Sequence, residues 1–140
     1  MKIGFDLDGV LCDISITELD LLHRHQDKND LLYYMERKPL LSPYMFMTES
    51  DEAFCITSRV RKYHEITTRW MHKYLPGIPV YFLRKDLSYT NPEAVAKDKI
   101  RIMKDLGIEV YIDDSYHFIK NMREIEPNIK FIQYGGRIEV

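Results

Sequence analysis

Short apolar runs alternate with longer amphipathic segments along nearly all of the 140 residues. Apolar runs of four to six residues bounded by polar turns are typical of buried strands, and the segments between them have helical spacing. Strands that are joined through helices form a mainly parallel sheet with helices on both faces. The sequence therefore predicts an α/β fold, with strands at 2–5, 53–56, 79–83, 109–112 and 129–134.

The predicted helices lie between these strands. Pro76 and Gly77 end the helix after the second strand, and Gly107 is placed as the C-terminal cap of the next one. The regular alternation is interrupted once, by an insert at 11–52 between the first and second strands. The predicted helices are 14–25, 30–37, 61–75, 93–106 and 115–125.

Length and composition narrow the class of protein. A chain of this length makes one domain, so we expect a single unit over 1–140. The net charge of −2 argues against stable nucleic-acid binding through bulk positive charge. No apolar run approaches a membrane span, and acids stand where a signal peptide needs an apolar run, so we expect a cytoplasmic protein without a membrane partner. Cys12 and Cys55 have no metal-ligand spacing and are expected to be buried thiols.

Charged and polar side chains cluster where the predicted strands end. Because the carboxyl ends of parallel strands meet at one edge of a sheet, these side chains are expected to lie close together. The helix before the fourth strand adds two lysines near its start. The residues are Asp6 and Asp8 after strand one, Thr57, Ser58 and Arg59 after strand two, Lys97 and Lys99 on the helix, and Asp113 and Asp114 after strand four.

Any one of these residues alone is explained by a helix cap, a turn or a solvated surface. These explanations do not account for the whole set, because four acids on adjacent strand ends repel one another unless a cation lies among them. A hard divalent ion with oxygen ligands, most simply Mg²⁺, removes that repulsion. A carboxylate can then attack phosphorus, a second acid can protonate the leaving oxygen, and a lysine can neutralise the phosphoryl charge.

In these motifs the chain resembles the haloacid dehalogenase superfamily of phosphohydrolases. Four motifs occur in the family's order, and they span 1–115. The resemblance implies a three-layer α/β/α fold with parallel strand order 3-2-1-4-5 and a small cap formed by the insert. The motifs are DLDGVL at 6–11, CITSR at 55–59, the lysine at position 99, and VYIDD at 110–114.

The resemblance also implies roles for single residues. Asp6 is the expected nucleophile and a Mg²⁺ ligand. Asp8 is the expected general acid and base, and its backbone carbonyl is an expected metal ligand. Thr57, with Ser58 and Arg59 beside it, is expected to bind the phosphoryl group of the substrate.

The third and fourth motifs leave two assignments open. Lys99 is expected to bridge the phosphoryl group and the nucleophile, with Lys97 as the alternative. Asp113 and Asp114 are expected to complete the metal site, and we favour Asp114 as the direct ligand. An acid at Asp8 indicates a phosphatase, because the family's dehalogenases lack one there.

The motifs are most similar to those of the 5′(3′)-deoxyribonucleotidase family, which implies a small phosphate ester, most simply a nucleotide, as substrate. A small cap leaves the edge of the site open, so a polynucleotide 3′-end or a phosphoprotein is the alternative. A catalytically idle binding module is the alternative from another class. A homodimer that closes the site is conceivable.

Aromatic and basic residues near the cap have two interpretations each. Four aromatic residues either stack on a nucleobase or pack the cap onto the core. Arg59, with Arg61 and Lys62, either binds a second phosphate or a nucleic-acid backbone, or forms a solvated helix start. The aromatic candidates are Tyr33, Tyr34, Tyr44 and Phe46.

Overall fold

The computed structural model describes residues 1–14, 30–45, 47–87 and 91–135. Five strands and four helices alternate along this part of the chain. It also contains two short 3-10 turns, Pro43–Met45 and Arg61–Tyr63. The strands are β1 (Lys2–Phe5), β2 (Glu52–Thr57), β3 (Val80–Phe82), β4 (Val110–Asp113) and β5 (Lys130–Gln133), and the helices are α1 (Asp30–Glu36), α2 (His64–Tyr74), α3 (Pro92–Leu106) and α4 (Tyr116–Ile125).

The five strands form one sheet in the order β3-β2-β1-β4-β5, and every neighbouring pair is parallel. The predicted α/β class and strand order are confirmed. In the register of the sheet, Phe5 at the end of β1 lies opposite Cys55 and Ile112. Thr57 at the end of β2 lies opposite Phe82. The carboxyl ends of the three central strands therefore share one edge of the sheet.

Helices cover both faces of the sheet, because successive strand side chains point to opposite sides. Cys55 of β2 packs on the face that carries Tyr34 and Trp70. Its sequence neighbours Phe54 and Ile56 pack on the opposite face, which carries α3 and α4. The first core includes Ile3, Phe5, Cys55, Ile112, Tyr34, Trp70 and Met71. The second includes Phe54, Ile56, Tyr111, Val95, Ile100, Met103, Ile119 and Met122.

Trp70 ties α2 to the insert. Its side chain is buried, and its indole Nε1–H donates a hydrogen bond to the carbonyl oxygen of Arg37 at 2.8 Å. The two ends of this segment are also joined to each other, because the Leu40 N–H donates to the carbonyl of Leu11 at 2.9 Å and the Asp13 N–H donates to that of Lys38 at 2.9 Å. The expectation that the two cysteines are buried thiols is confirmed.

Strand β1 has its predicted bounds, and the other described elements differ from the predicted ones by at most three residues at either end. The predicted helix at 61–75 begins with a 3-10 turn and becomes α-helical at His64. Asn91 caps α3 through its side chain, and Gly107 ends it in the left-handed conformation with φ 75°. The predicted helix at 14–25 lies outside the described residues apart from Ile14. Among the helices of the described ranges, none is long and apolar enough to cross a membrane.

Candidate active site and metal centre

Lys99 lies at the centre of the acidic edge. It is one of the buried residues of α3, with 1% of its surface exposed, and its Nζ donates a hydrogen bond to Asp6 Oδ1 at 3.0 Å. Lys97 is two residues away and so points to the other side of the helix, where it pairs with Glu93 at 3.2 Å and its side chain is 65% exposed. Of the two lysines that the sequence left open, the structure brings Lys99 to the acids.

Three carboxylates meet beside this lysine. Oxygen atoms of Asp6, Asp113 and Asp114 all lie within 4.8 Å of one another. Asp113 Oδ1 accepts a hydrogen bond from the Ser115 N–H at 2.9 Å, but Asp113 Oδ2 is a buried oxygen with no hydrogen-bond partner in the described part of the chain. An orphaned carboxylate oxygen beside two further carboxylates fits a hard divalent cation. The cluster could hold a metal ion through these three acids.

Burial and the repulsion of neighbouring carboxylates raise the pKa of two of these acids, Asp6 and Asp114. Burial, with Asp113 adding to it and Lys99 opposing it, raises the pKa of Asp6 to about 7. Burial together with the negative charges of Asp6 and Asp113 raises the pKa of Asp114 to about 9. A cation bound at the cluster would replace these protons, because it removes the repulsion that favours the neutral acid.

Gly9 allows Asp114 to approach the first loop. Its φ is +83°, in the region that favours glycine, and a Cβ at this position would collide with Asp114 Oδ2. The glycine of the first motif is therefore required twice, once by its own backbone and once by the acid from β4 that packs against it.

The Asp8 carboxylate is not part of the three-acid cluster. Arg59 binds it with two nitrogen atoms: its Nε donates to Asp8 Oδ2 at 3.0 Å, and its Nη2 donates to Asp8 Oδ1. The pair is held in place by Thr67, whose hydroxyl accepts from Arg59 Nη1 at 2.9 Å, and by Tyr34, whose ring centroid lies 4.3 Å from the guanidinium carbon. Burial alone would lower the pKa of Arg59, but the adjacent Asp8 raises it above its usual range.

This placement corrects one expectation for Arg59. The interpretation of Arg59 as part of a solvated helix start is wrong, because its side chain is only 3% exposed and is paired with Asp8. The packing interpretation of Tyr34 is confirmed, since its ring is buried beneath Arg59 and against Tyr63. The Arg61 and Lys62 residues that follow are exposed.

The other predicted residues lie around the same edge. Thr57 is buried at the end of β2, and its hydroxyl accepts a hydrogen bond from the Arg59 N–H at 3.2 Å. Ser58 is half-buried next to it. Tyr33 lies under the guanidinium of Arg37, at 4.0 Å from ring centroid to Cζ. Tyr44 is exposed and donates to the carbonyl of Pro76 at 3.0 Å, and Phe46 lies outside the described residues.

Sequence reasoning did not identify Tyr111 and His64. Tyr111 in β4 is buried, and its hydroxyl oxygen lies 3.0 Å from Lys99 Nζ, so it accepts from the ammonium. His64 at the start of α2 is stacked on Phe82, and its Nε2 lies 3.0 Å from the carbonyl oxygen of Arg59. The sequence pattern of Tyr111 is that of an ordinary core residue in an apolar strand. The only signal of a role in the site was its polar hydroxyl within the fourth motif.

Comparisons with known proteins support the fold. No family model matches the chain, and no curated protein matches it. Two solved structures of the Pnkp1/Rnl/Hen1 RNA repair complex contain similar chains. One has a TM-score of 0.65 at 18% sequence identity and the other a TM-score of 0.64 at 20%, each covering 98% of this chain. The present chain spans 43% and 47% of the lengths of those chains, so the likeness shows a shared fold over less than half of each.

We expect Gly9→Ala to cost more stability than Gly77→Ala, although both residues have positive φ. A Cβ at Gly77 meets nothing within 4 Å, so that variant loses only the ~1–2 kcal/mol of left-handed strain. The added methyl at Gly9 also collides with Asp114, so its loss should be at least ~2 kcal/mol larger. Denaturant unfolding of both variants measures the difference, and equal losses would contradict the close approach of Asp114.

We expect the metal-free protein to lose stability as the pH rises from the ordinary carboxyl pKa of 3.8, through about 7 for Asp6, to about 9 for Asp114. The folded state keeps protons on Asp6 and Asp114 that the unfolded state has already released, so rising pH favours unfolding. Mg²⁺ should stabilise the protein more at the higher pH, because fewer protons then compete with it. Thermal unfolding with EDTA or with Mg²⁺ tests both trends, and a stabilisation by Mg²⁺ that is the same at both pH values would contradict this charge arrangement.

Proposed function

We propose that the protein is a Mg²⁺-dependent phosphatase that acts through an aspartyl-phosphate on Asp6. The observation that carries the proposal is the position of the Asp6 carboxylate, which accepts a hydrogen bond from the buried Lys99 ammonium and lies beside Asp113 and Asp114. The resemblance of the four motifs to haloacid dehalogenase phosphohydrolases supports the same chemistry. Asp6, Asp113 and Asp114 would hold the cation, with the backbone carbonyl of Asp8 as a further oxygen ligand.

The proposed reaction has two steps. An Asp6 oxygen forms a bond to phosphorus while the bond from phosphorus to the ester oxygen breaks, and Asp8 gives its proton to that leaving oxygen. Asp8 then takes a proton from water, the water oxygen attacks phosphorus, and the bond to Asp6 breaks to release phosphate. Bound Mg²⁺ would neutralise charge on the phosphoryl oxygens.

The chain's own residues position the groups for these steps. Lys99 places a positive charge at Asp6, where the phosphoryl group would bind. Arg59 fixes the orientation of the Asp8 carboxyl and stabilises the carboxylate that remains when its proton has left. Thr57, at the end of the neighbouring strand, is proposed to hold a phosphoryl oxygen through its hydroxyl, with Ser58 beside it.

We expect Asp6→Asn to abolish phosphate release from a generic aryl phosphate, by at least ~1000-fold in kcat, because an amide is a far weaker nucleophile. The matched control is Asp105→Asn on α3, whose side chain is 70% exposed and far along the helix from the site. This control should keep the parent rate. An Asp6→Asn variant as active as the parent would show that another group attacks phosphorus.

The main alternative is a binding module on the same fold that catalyses nothing. It predicts that the parent protein binds Mg²⁺ at the three acids and yet releases no phosphate from any ester. The complete set of acids, lysine and hydroxyl favours the enzyme, since a module that had lost activity is expected to have lost one of them.

For the substrate we propose a small phosphate ester, and in particular a nucleotide. The second candidate is the phosphorylated end of a nucleic acid. It is favoured by the fold shared with chains of an RNA repair complex. It is also favoured by exposed basic residues that follow the neighbouring strands β2 and β3, namely Arg61, Lys62, Arg84 and Lys85.

Phosphate release from free deoxynucleotides and from 3′-phosphorylated oligonucleotides separates the two candidates. We expect the nucleotides to give the higher kcat/KM, and we expect the double variant Arg84→Ala, Lys85→Ala to leave their rate unchanged. If oligonucleotides react faster, and that double variant slows them alone, the substrate is a nucleic-acid end. A phosphopeptide in the same panel tests the phosphoprotein alternative.

A further inference from the structure

Tyr111 reaches across the sheet from β4 to β2. Its ring lies over Gly4 of β1, where a Cβ would stand only 2.9 Å from the ring carbon Cδ2. Its hydroxyl lies 3.4 Å from the carbonyl oxygen of Ile56 on β2, to which it donates, and 3.0 Å from Lys99 Nζ, from which it accepts. Glycine at position 4 therefore gives the ring a path to the active-site lysine.

The Lys99 ammonium has three N–H donors and three oxygen neighbours. Two neighbours are within hydrogen-bond distance, namely Asp6 Oδ1 and the Tyr111 hydroxyl, each at 3.0 Å. The third, Asp113 Oδ2, is 3.7 Å away, too far for a hydrogen bond. It is also the oxygen that has no hydrogen-bond partner among the described residues.

A buried ammonium and a buried carboxylate this close would normally form a hydrogen bond. The remaining gap shows that the ammonium is held elsewhere, on the side of Asp6 and Tyr111. A phenol suits this purpose, because it accepts a hydrogen bond from the ammonium without adding a further negative charge to three crowded acids.

We propose that Tyr111 is a positioning residue that holds Lys99 on the nucleophile Asp6 and thereby leaves Asp113 Oδ2 free to bind the divalent cation. The part that concerns the cation rests on the proposed function. Without the hydroxyl, the ammonium moves to Asp113 Oδ2, competes with the cation there, and no longer holds Asp6. A Tyr111 that only fills the core would predict none of these effects.

The test compares Tyr111→Phe with the matched control Tyr81→Phe. Tyr81 is a half-buried tyrosine in β3 that packs against the same core, and its hydroxyl is not part of the site. In a crystal structure of metal-free Tyr111→Phe we expect Lys99 Nζ within hydrogen-bond distance of Asp113 Oδ2. Mn²⁺ affinity, measured by electron paramagnetic resonance, should fall about 10-fold or more, as when other groups that orient metal ligands are removed. Tyr81→Phe should match the parent in both measurements.

Kinetics supply a further readout. Because Lys99 would still be present but misplaced, we expect Tyr111→Phe to lower kcat about 10-fold or more at saturating Mg²⁺, with little change in KM. A role in core packing alone would lower the melting temperature and leave kcat unchanged in the protein that remains folded.

Gly4→Ala provides a second, independent variant, because it keeps the hydroxyl and displaces the ring. Introduced into the parent, it should weaken Mn²⁺ binding. Combined with Tyr111→Phe, it should cause no further loss of Mn²⁺ affinity. The proposal is overturned if Lys99 Nζ keeps its place in Tyr111→Phe, or if both variants bind Mn²⁺ as the parent does. If the parent binds no Mn²⁺, the proposed function fails, and the position of Nζ in Tyr111→Phe still decides whether Tyr111 holds Lys99.

Discussion

A lysine ammonium buried among acids is the constraint on which the acidic edge depends. Lys99 carries its charge into the interior from α3, where it could not remain ionised without partners. Asp6 supplies the counter-charge from β1, and Tyr111 supplies a neutral acceptor from β4. Asp113 stands just beyond hydrogen-bond reach. The Lys99 ammonium thus fixes the relative positions of a helix and two strands. Its single positive charge does not neutralise three acids, so the cluster could hold a divalent cation as well.

A second ion pair gives the two acids of the first motif different surroundings. Asp6 and Asp8 are two residues apart, yet their surroundings differ. Asp6 meets Lys99 and the acids of β4, whereas Asp8 meets the buried guanidinium of Arg59. Arg59 in turn lies over Tyr34, so the described part of the insert supports the Asp8 side of the site. The two acids that the proposed function assigns as nucleophile and as proton donor therefore have different partners.

Much of this arrangement could be predicted from the chain. The short apolar strands, separated by helices, predicted the parallel sheet, and strand-end acids with a lysine predicted a cluster that includes Asp6, Asp113 and Lys99. The environment of Arg59 was not predictable, because a basic residue at a helix start is ordinarily solvated. Tyr111 was missed since a tyrosine in an apolar strand has the same pattern whether its hydroxyl contacts water, a carbonyl or a buried lysine.

The sequence by itself determined which chemical groups stand at the strand ends, because strand periodicity and turn residues are local properties. Only the tertiary structure decided how those groups are paired. It chose Lys99 over Lys97, since helical geometry turns one inward and the other to solvent. In the tertiary structure Asp8 pairs with Arg59, and the ring of Tyr111 lies over Gly4. Among the described residues, one oxygen of Asp113 has no hydrogen-bond partner. These pairings join residues far apart in the sequence, such as Asp6 and Lys99 at a separation of 93 positions. They depend on sheet register and side-chain packing, which no local pattern records.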